Sequence, residues 1–227
     1  MNTMELSKEG SVFILTMTDE ANNNTLSSET LKEYNEIFDT IEETPGNAAL
    51  IIRSSHPKMW CNGINLQWYS EQPHEDRVKF LEEMKRTLLR ASLLNLPTIG
   101  CLSGHAYAGG AILASSLDFR IMREDRAKFC FPEVNYAMPL GDTLYGVINN
   151  LPNKYAVQQL VLTGAAWKGK ECLANGVVNA IHSEEEIFGK TMEFAKEMAQ
   201  KVRDNYTGLK YDVRKSLKEM WDSGTII

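Results

Sequence analysis

An α/β domain is the fold class that the sequence predicts, and three observations carry it. Apolar β-type runs such as Val12–Met17 and Thr98–Leu102 alternate with segments whose apolar residues recur at helical spacing. A glycine-rich stretch from Pro97 to Asp118 (PTIGCLSGHAYAGGAILASSLD) reads as strand, sharp turn and helix in immediate succession. No low-complexity linker interrupts the 227 residues, a length that can bury one sizeable core.

The elements follow in order. Val12–Met17 is a strand. Ser27 or Ser28 caps a helix whose Leu31, Tyr34, Phe38 and Ile41 share one face, and Pro45–Gly46–Asn47 turns the chain into a strand at Ala48–Arg53. A second helix runs from about His74 to Asn95, with Phe80, Met84, Leu88 and Ala91 on one side. Pro97 stops it, Thr98–Leu102 is the next strand, Gly104 allows a turn, and Gly109–Gly110 open an apolar helix through Leu117. Short strands at Phe119–Met122 and Ala127–Cys130 flank the charged turn Arg123–Arg126. Lys168–Ala174 is a helix closed by Gly176, followed by a strand at Val177–Ile181. Ser183-x-x-Glu186 matches a capping box and starts a long helix carrying Phe194, Met198 and Val202; a last helix ends near Trp221. The expected organisation is a core over residues 1–182 and a C-terminal helical segment over 183–227, suited to oligomerisation.

Composition removes several function classes. A net charge of −6 with no basic stripe argues against nucleic-acid binding. Pro97–Leu117 carries no Asp, Glu, Lys or Arg, but its Gly, Ser, Ala and Thr content, His105 and two turn signals suit a buried strand-turn-helix better than a membrane span. Cys61, Cys101, Cys130 and Cys172 are scattered, without metal-ligand spacing, and read as reduced, mostly buried thiols. Neither MNTMELSKEG nor the terminal GTII carries a targeting pattern, so the cytoplasm is the expected location. Ser103 near His105 hints at a hydrolase, yet the spacing fits no nucleophile elbow, and the glycines lack the spacing of a nucleotide-binding loop.

Four blocks together carry a resemblance. They are N-x-x-L-S at Asn23–Ser27, W-C-N-G-I-N-L at Trp60–Leu66, P-T-I-x-x-x-x-G-H-A-x-A-G-G from Pro97, and F-P-E-V at Phe131–Val134. With them the chain resembles the crotonase superfamily of enoyl-CoA hydratases and isomerases, and most of all the short enoyl-CoA Δ3,Δ2-isomerases. The resemblance implies a crotonase-like spiral of strand-strand-helix units, a homotrimer or dimer of trimers, and an acyl-CoA thioester as substrate, with no separate cofactor and no metal.

It also implies roles. The N–H groups of Ile64 and Gly109 would hold the thioester oxygen as an enolate forms, which suits a glycine-flanked loop and a helix start with unpaired N–H donors. Glu133 would be the general base, among neighbours that raise its pKa by desolvation. Asn62, Gly63, Asn65 and Leu66 of the first loop, with Gly110 and Ile112 of the glycine-rich helix, are the expected substrate contacts; Lys58 is a candidate for a CoA phosphate. Hydratases of the superfamily usually place a second glutamate where this chain has Ile112, and the segment after Glu133 lacks their glycine-rich turn. One carboxylate suffices to move a double bond, so the expected reaction is isomerisation of 3-enoyl-CoA to 2-enoyl-CoA in fatty-acid metabolism. Hydration or another crotonase-type reaction, non-catalytic acyl-CoA binding, and participation of Asp142 stay open.

Overall fold

The computed structural model describes residues 3–136 and 138–224. Ala137, within the segment that follows Glu133, and most of the GTII terminus lie outside the described residues. Two sheets organise the chain. The larger is built from β1 (Met4–Glu9), β2 (Val12–Met17), β3 (Ala49–Ser54), β5 (Thr98–Leu102), β7 (Phe119–Arg123) and β10 (Ala180–His182), in that spatial order. Only the β1–β2 hairpin is antiparallel. The smaller is ordered β4 (Met59–Cys61), β6 (His105–Tyr107), β8 (Lys128–Cys130) and β9 (Trp167–Lys168), with its first three strands parallel.

Helices cover both faces of the large sheet, as a parallel sheet requires. Strand alternation divides the side chains. Leu50 and Ile52 of β3 join the main core with Leu31, Tyr34 and Phe38 of α1 (Ser28–Glu43), Phe80 and Met84 of α3 (His74–Leu93) and Leu113 of α4 (Gly109–Ser116). Ala49 and Ile51 face the other way, onto Ile187, Met192, Ala195 and Met198 of α8 (Ile187–Met198). Between them in the chain lie α2 (Leu66–Glu71), α5 (Gly141–Ile148), α6 (Lys154–Thr163) and α7 (Gly169–Ala174); α9 (Arg203–Val213) and α10 (Lys215–Ser223) close it. Among the described residues no helix is long and apolar enough to cross a membrane.

The α/β class and the strand-strand-helix units agree with the sequence, and the strand at Thr98–Leu102 has the expected ends. Ser27 is the cap of α1: its Oγ accepts from the Thr30 N–H at 3.4 Å, while Thr30 Oγ1 accepts from the Ser27 N–H at 2.9 Å. Gly176 closes α7 as expected, with the Val177 N–H reaching back to Cys172 O at 2.8 Å. All four cysteines are buried and free.

Two expectations at the C-terminal end are corrected. Ser183 and Glu186 do not cap a helix. The Ser183 hydroxyl donates to the Glu186 carboxylate at 3.2 Å, residues 184–186 form a turn pinned by Arg123 to Glu184 at 2.6 Å, and α8 starts only at Ile187. Val202 lies beyond the end of α8 and is exposed. The chain breaks there so that Arg203 can turn inward, where its guanidinium donates to carbonyls of Ile41, Thr44, Gly46 and Asn95. The sequence also left β1, β4, β6, β9, α2, α5 and α6 unassigned. Strands of two or three residues are too short to display a period.

Candidate active site

Three parallel strands carry the site. In the small sheet Cys61 pairs with Ala106, and Tyr107 with Cys130, so β4, β6 and β8 end on one common edge. Loops leaving the carboxyl ends of parallel strands converge, which is where ligand sites form in open α/β sheets. Ile64 lies three residues beyond β4, Gly109 two beyond β6 and Glu133 three beyond β8. Neighbouring strands are about 4.8 Å apart. Strand pairing therefore brings Ile64, Gly109 and Glu133 to the same edge, although 69 residues separate the first from the last.

The first loop is clamped by a segment that sequence reasoning treated only as a family signature. Asn23 O accepts the Asn62 N–H at 3.3 Å, Gly63 O accepts the Leu26 N–H at 2.7 Å, and Leu26 O accepts the Asn65 N–H at 3.0 Å. This isolated parallel bridge to Leu26 uses the groups on either side of Ile64, so the Ile64 N–H itself points away from the clamp. Asn24 reinforces it, its buried amide donating to Ser54 Oγ at 2.7 Å and to Trp60 O at 3.1 Å. Asn23 and Asn24 both hold positive φ values, which asparagine tolerates better than most residues.

The second donor opens α4. Gly109 is its first residue, so its N–H has no intrahelical acceptor. Ala108, the residue before it, adopts φ 50° and ψ −126°, a conformation costly for any residue with a Cβ. That kink lets Ala108 N–H continue the ladder to Cys130 O at 3.0 Å while the next N–H leaves it. The two donor loops touch: a Cβ added at Gly63, whose φ is +76°, would lie 2.7 Å from the Gly109 nitrogen. Gly110 permits a second close approach, because a Cβ there would fall 2.1 Å from Cys61 O. Gly104, expected as a turn, serves the same purpose one strand earlier, against Lys58 O.

Glu133 sits in a single 3-10 turn, Pro132–Asn135, and is half-buried. Its Oε2 is buried with no protein hydrogen-bond partner. Burial raises the carboxyl above its ordinary value of 4.5, and a hydrogen bond from its own backbone N–H only partly offsets this. Nearby Cys130 is pushed up to about 11, by burial first and by the Glu133 charge second. Cys61, at the end of β4, is pushed up to about 12 by burial. Both thiols therefore stay protonated near neutrality.

The remaining sequence-predicted residues fall at varied places. Asn62 is exposed beside the loop; Asn65 caps α2, its Oδ1 accepting from the Trp68 N–H at 3.0 Å; Leu66 is the exposed first residue of that helix. Ile112 is buried in the main core, one turn into α4. Lys58 is exposed, and Asp142 is exposed in the first turn of α5. Ser103 and His105 share no hydrogen bond among the described residues, which removes the geometric basis for a hydrolase dyad. No group of three or more metal-ligating side chains occurs among the described residues.

Comparison with known proteins bears on the fold and the family. The chain is 30% identical over 220 residues to enoyl-CoA delta isomerase 3 of Arabidopsis thaliana, covering 93% of this chain and 90% of that protein. It is also 30% identical over 205 residues to a short-chain-enoyl-CoA hydratase of Clostridium acetobutylicum, covering 90% and 77%. A solved enoyl-CoA hydratase/carnithine racemase from Magnetospirillum magneticum superposes with a TM-score of 0.87 at 19% identity, over 95% of this chain and 81% of that one. The family model for enoyl-CoA hydratase/isomerase matches residues 7–223, and the chain belongs to that family.

Proposed function

We propose that the protein isomerises 3-enoyl-CoA to 2-enoyl-CoA, with Glu133 as the single proton shuttle. One observation carries the reading: a desolvated carboxylate with one unpartnered oxygen, Oε2 of Glu133, shares a strand-end edge with two outward N–H donors, while the neighbouring turn of α4 offers buried, apolar Ile112. Glu133 takes a proton from C2, and the electron pair delocalises over C2–C4 and the thioester oxygen. The N–H groups of Ile64 and Gly109 hold that oxygen as it becomes negative. Protonated Glu133 then returns the proton to C4, the double bond rests between C2 and C3, and no water is consumed. The CoA thioester is the substrate, and the reaction needs no further cofactor. Asn62, Asn65 and Leu66 border the first donor loop as CoA contacts. A homotrimer or dimer of trimers is part of this reading, measurable by light scattering.

The reaction is tested with 3-hexenoyl-CoA by following formation of the conjugated thioester, with hydration of a 2-enoyl-CoA measured in parallel. Conjugation without hydration supports the isomerase; hydration as the faster reaction overturns it. The similarity to a hydratase makes that second arm necessary.

Two expected outcomes follow from the geometry. Gly63→Ala sets a methyl group against the Gly109 nitrogen, and loss of one oxyanion donor is expected to lower kcat about 10²–10³-fold, read in the same assay. The raised pKa of Glu133 sets the acid limb of the profile. The base must be ionised to act, so kcat/KM falls as pH drops through a midpoint above 4.5, the ordinary glutamate value.

A further inference from the structure

Behind the clamp that holds the first donor loop lies a small cavity of about 10 Å³, lined among others by Met4, Asp19, Asn24, Thr25, Leu26 and Tyr34; the Asp19 carboxylate accepts from the Asn22 amide at 2.9 and 3.0 Å. Three buried polar atoms of its lining residues have no protein partner: Asn24 Oδ1, Thr25 Oγ1 and the Tyr34 hydroxyl. Their residues are 4%, 8% and 1% exposed, so bulk solvent does not serve them. A buried polar atom left unpaired costs about 1–3 kcal/mol, and three around one cavity form a built site. The volume is about that required to hold one water, which needs two to four polar partners.

We infer that this cavity is a specific binding site for one structural water, which joins α1 to the Asn23–Leu26 clamp and makes Tyr34 a positioning residue for the Ile64 N–H. The donor and acceptor count balances. Asn24 Oδ1 only accepts, so the water donates to it; the Tyr34 hydroxyl donates to the water; Thr25 completes the set as donor or acceptor. Burial raises the Tyr34 phenol well above its ordinary pKa, keeping it a donor across the working range. The path from the cavity to the donor loop is short. The other side of the Asn24 amide grips Ser54 and Trp60, and Leu26 bonds the backbone on both sides of Ile64.

The water itself is tested by a high-resolution crystal structure of the wild-type protein. Density is expected in the cavity at about 2.7–3.1 Å from all three atoms; an empty cavity, or an ion with cation coordination distances, overturns the assignment. Its role is tested with Tyr34→Phe and Thr25→Val, each removing one partner with little change of shape. Each is expected to lower kcat about fivefold at nearly constant KM. The double variant should lose little more than either single one, because both act through the same water. Hydrogen exchange of residues 62–66 should quicken in both variants, and this readout needs no turnover. Unchanged exchange, or fully additive losses, would show that the water does not position the loop. The positioning role rests on the reading of Ile64 as an oxyanion donor. Failure of that reading appears as a wild-type protein that does not turn over 3-enoyl-CoA, whereas failure of the water site appears in the density.

Discussion

Glu133→Gln is expected to reduce kcat for 3-hexenoyl-CoA conjugation about 10²–10⁴-fold, the usual contribution of a positioned general base. The substitution keeps the shape of the side chain and removes its capacity to take up a proton. KM should change little, because in the proposed reading the thioester is held chiefly by backbone donors on the loops after β4 and β6, which do not involve residue 133. Folding should be unharmed. The ionised carboxylate is disfavoured by its surroundings, as its raised pKa records, and a neutral amide avoids that cost. The measurement is a steady-state assay beside a thermal melt. Retained turnover in a folded variant would move the proton transfer to another group, with exposed Asp142 the first to examine.

Asp118→Asn is expected to destabilise the protein by about 3–5 kcal/mol, since it leaves buried cations without their counter-charge. Asp118 lies between β5 and α9, 2.8 Å from Lys210 and 3.0 Å from Arg214, and accepts from the Tyr206 hydroxyl at 3.0 Å and the Thr98 N–H at 2.9 Å. Burial by itself would push its carboxyl up, but the Lys210 and Arg214 charges, together with hydrogen bonds from Lys210 and the Thr98 N–H, outweigh burial and hold it below 3.8. A depressed folded-state pKa means that the stabilisation is complete above that ordinary value and is lost as pH falls below it. Urea unfolding near neutrality should show the lowered midpoint, and the wild-type midpoint should itself fall steeply at strongly acid pH. Asp222→Asn is the contrast: Asp222 is exposed and its partner Lys218 only partly buried, so the loss should stay below about 1 kcal/mol. Equal losses for the two variants would mean that the buried network does not anchor α9.

The same network shows why the C-terminal helices were only partly legible. Arg203, Lys210 and Arg214 recur at spacings of seven and four, which place them on one helical face, and in sequence such a face reads as solvated. In the fold that face is buried. Lys210 donates to Leu94 O and Leu96 O, Arg214 to Ser92, Ser116 and Leu117 carbonyls, and Arg203 to the end of α1. These cations satisfy carbonyls that helix ends and turns leave without partners. The partners lie 97 to 162 residues upstream, and no local pattern announces them.

Local chemistry determined a great deal. The alternation of strand and helix, the Ser27 cap, the Pro97 stop, the glycine at the end of α7 and the glycine-rich opening of α4 all follow from side-chain sterics and backbone hydrogen bonding within a few residues. The motif blocks single out Ile64, Gly109 and Glu133. Tertiary structure decided what depends on contacts distant in sequence. It paired three short strands so that these residues share an edge, made Gly63 and Gly110 indispensable through close approach of backbones, and turned the Asn23–Leu26 segment into a clamp. It also withdrew Glu133 from water. Desolvation, strand register and the satisfaction of buried polar atoms are properties of packed surroundings, and those surroundings exist only once the chain has folded.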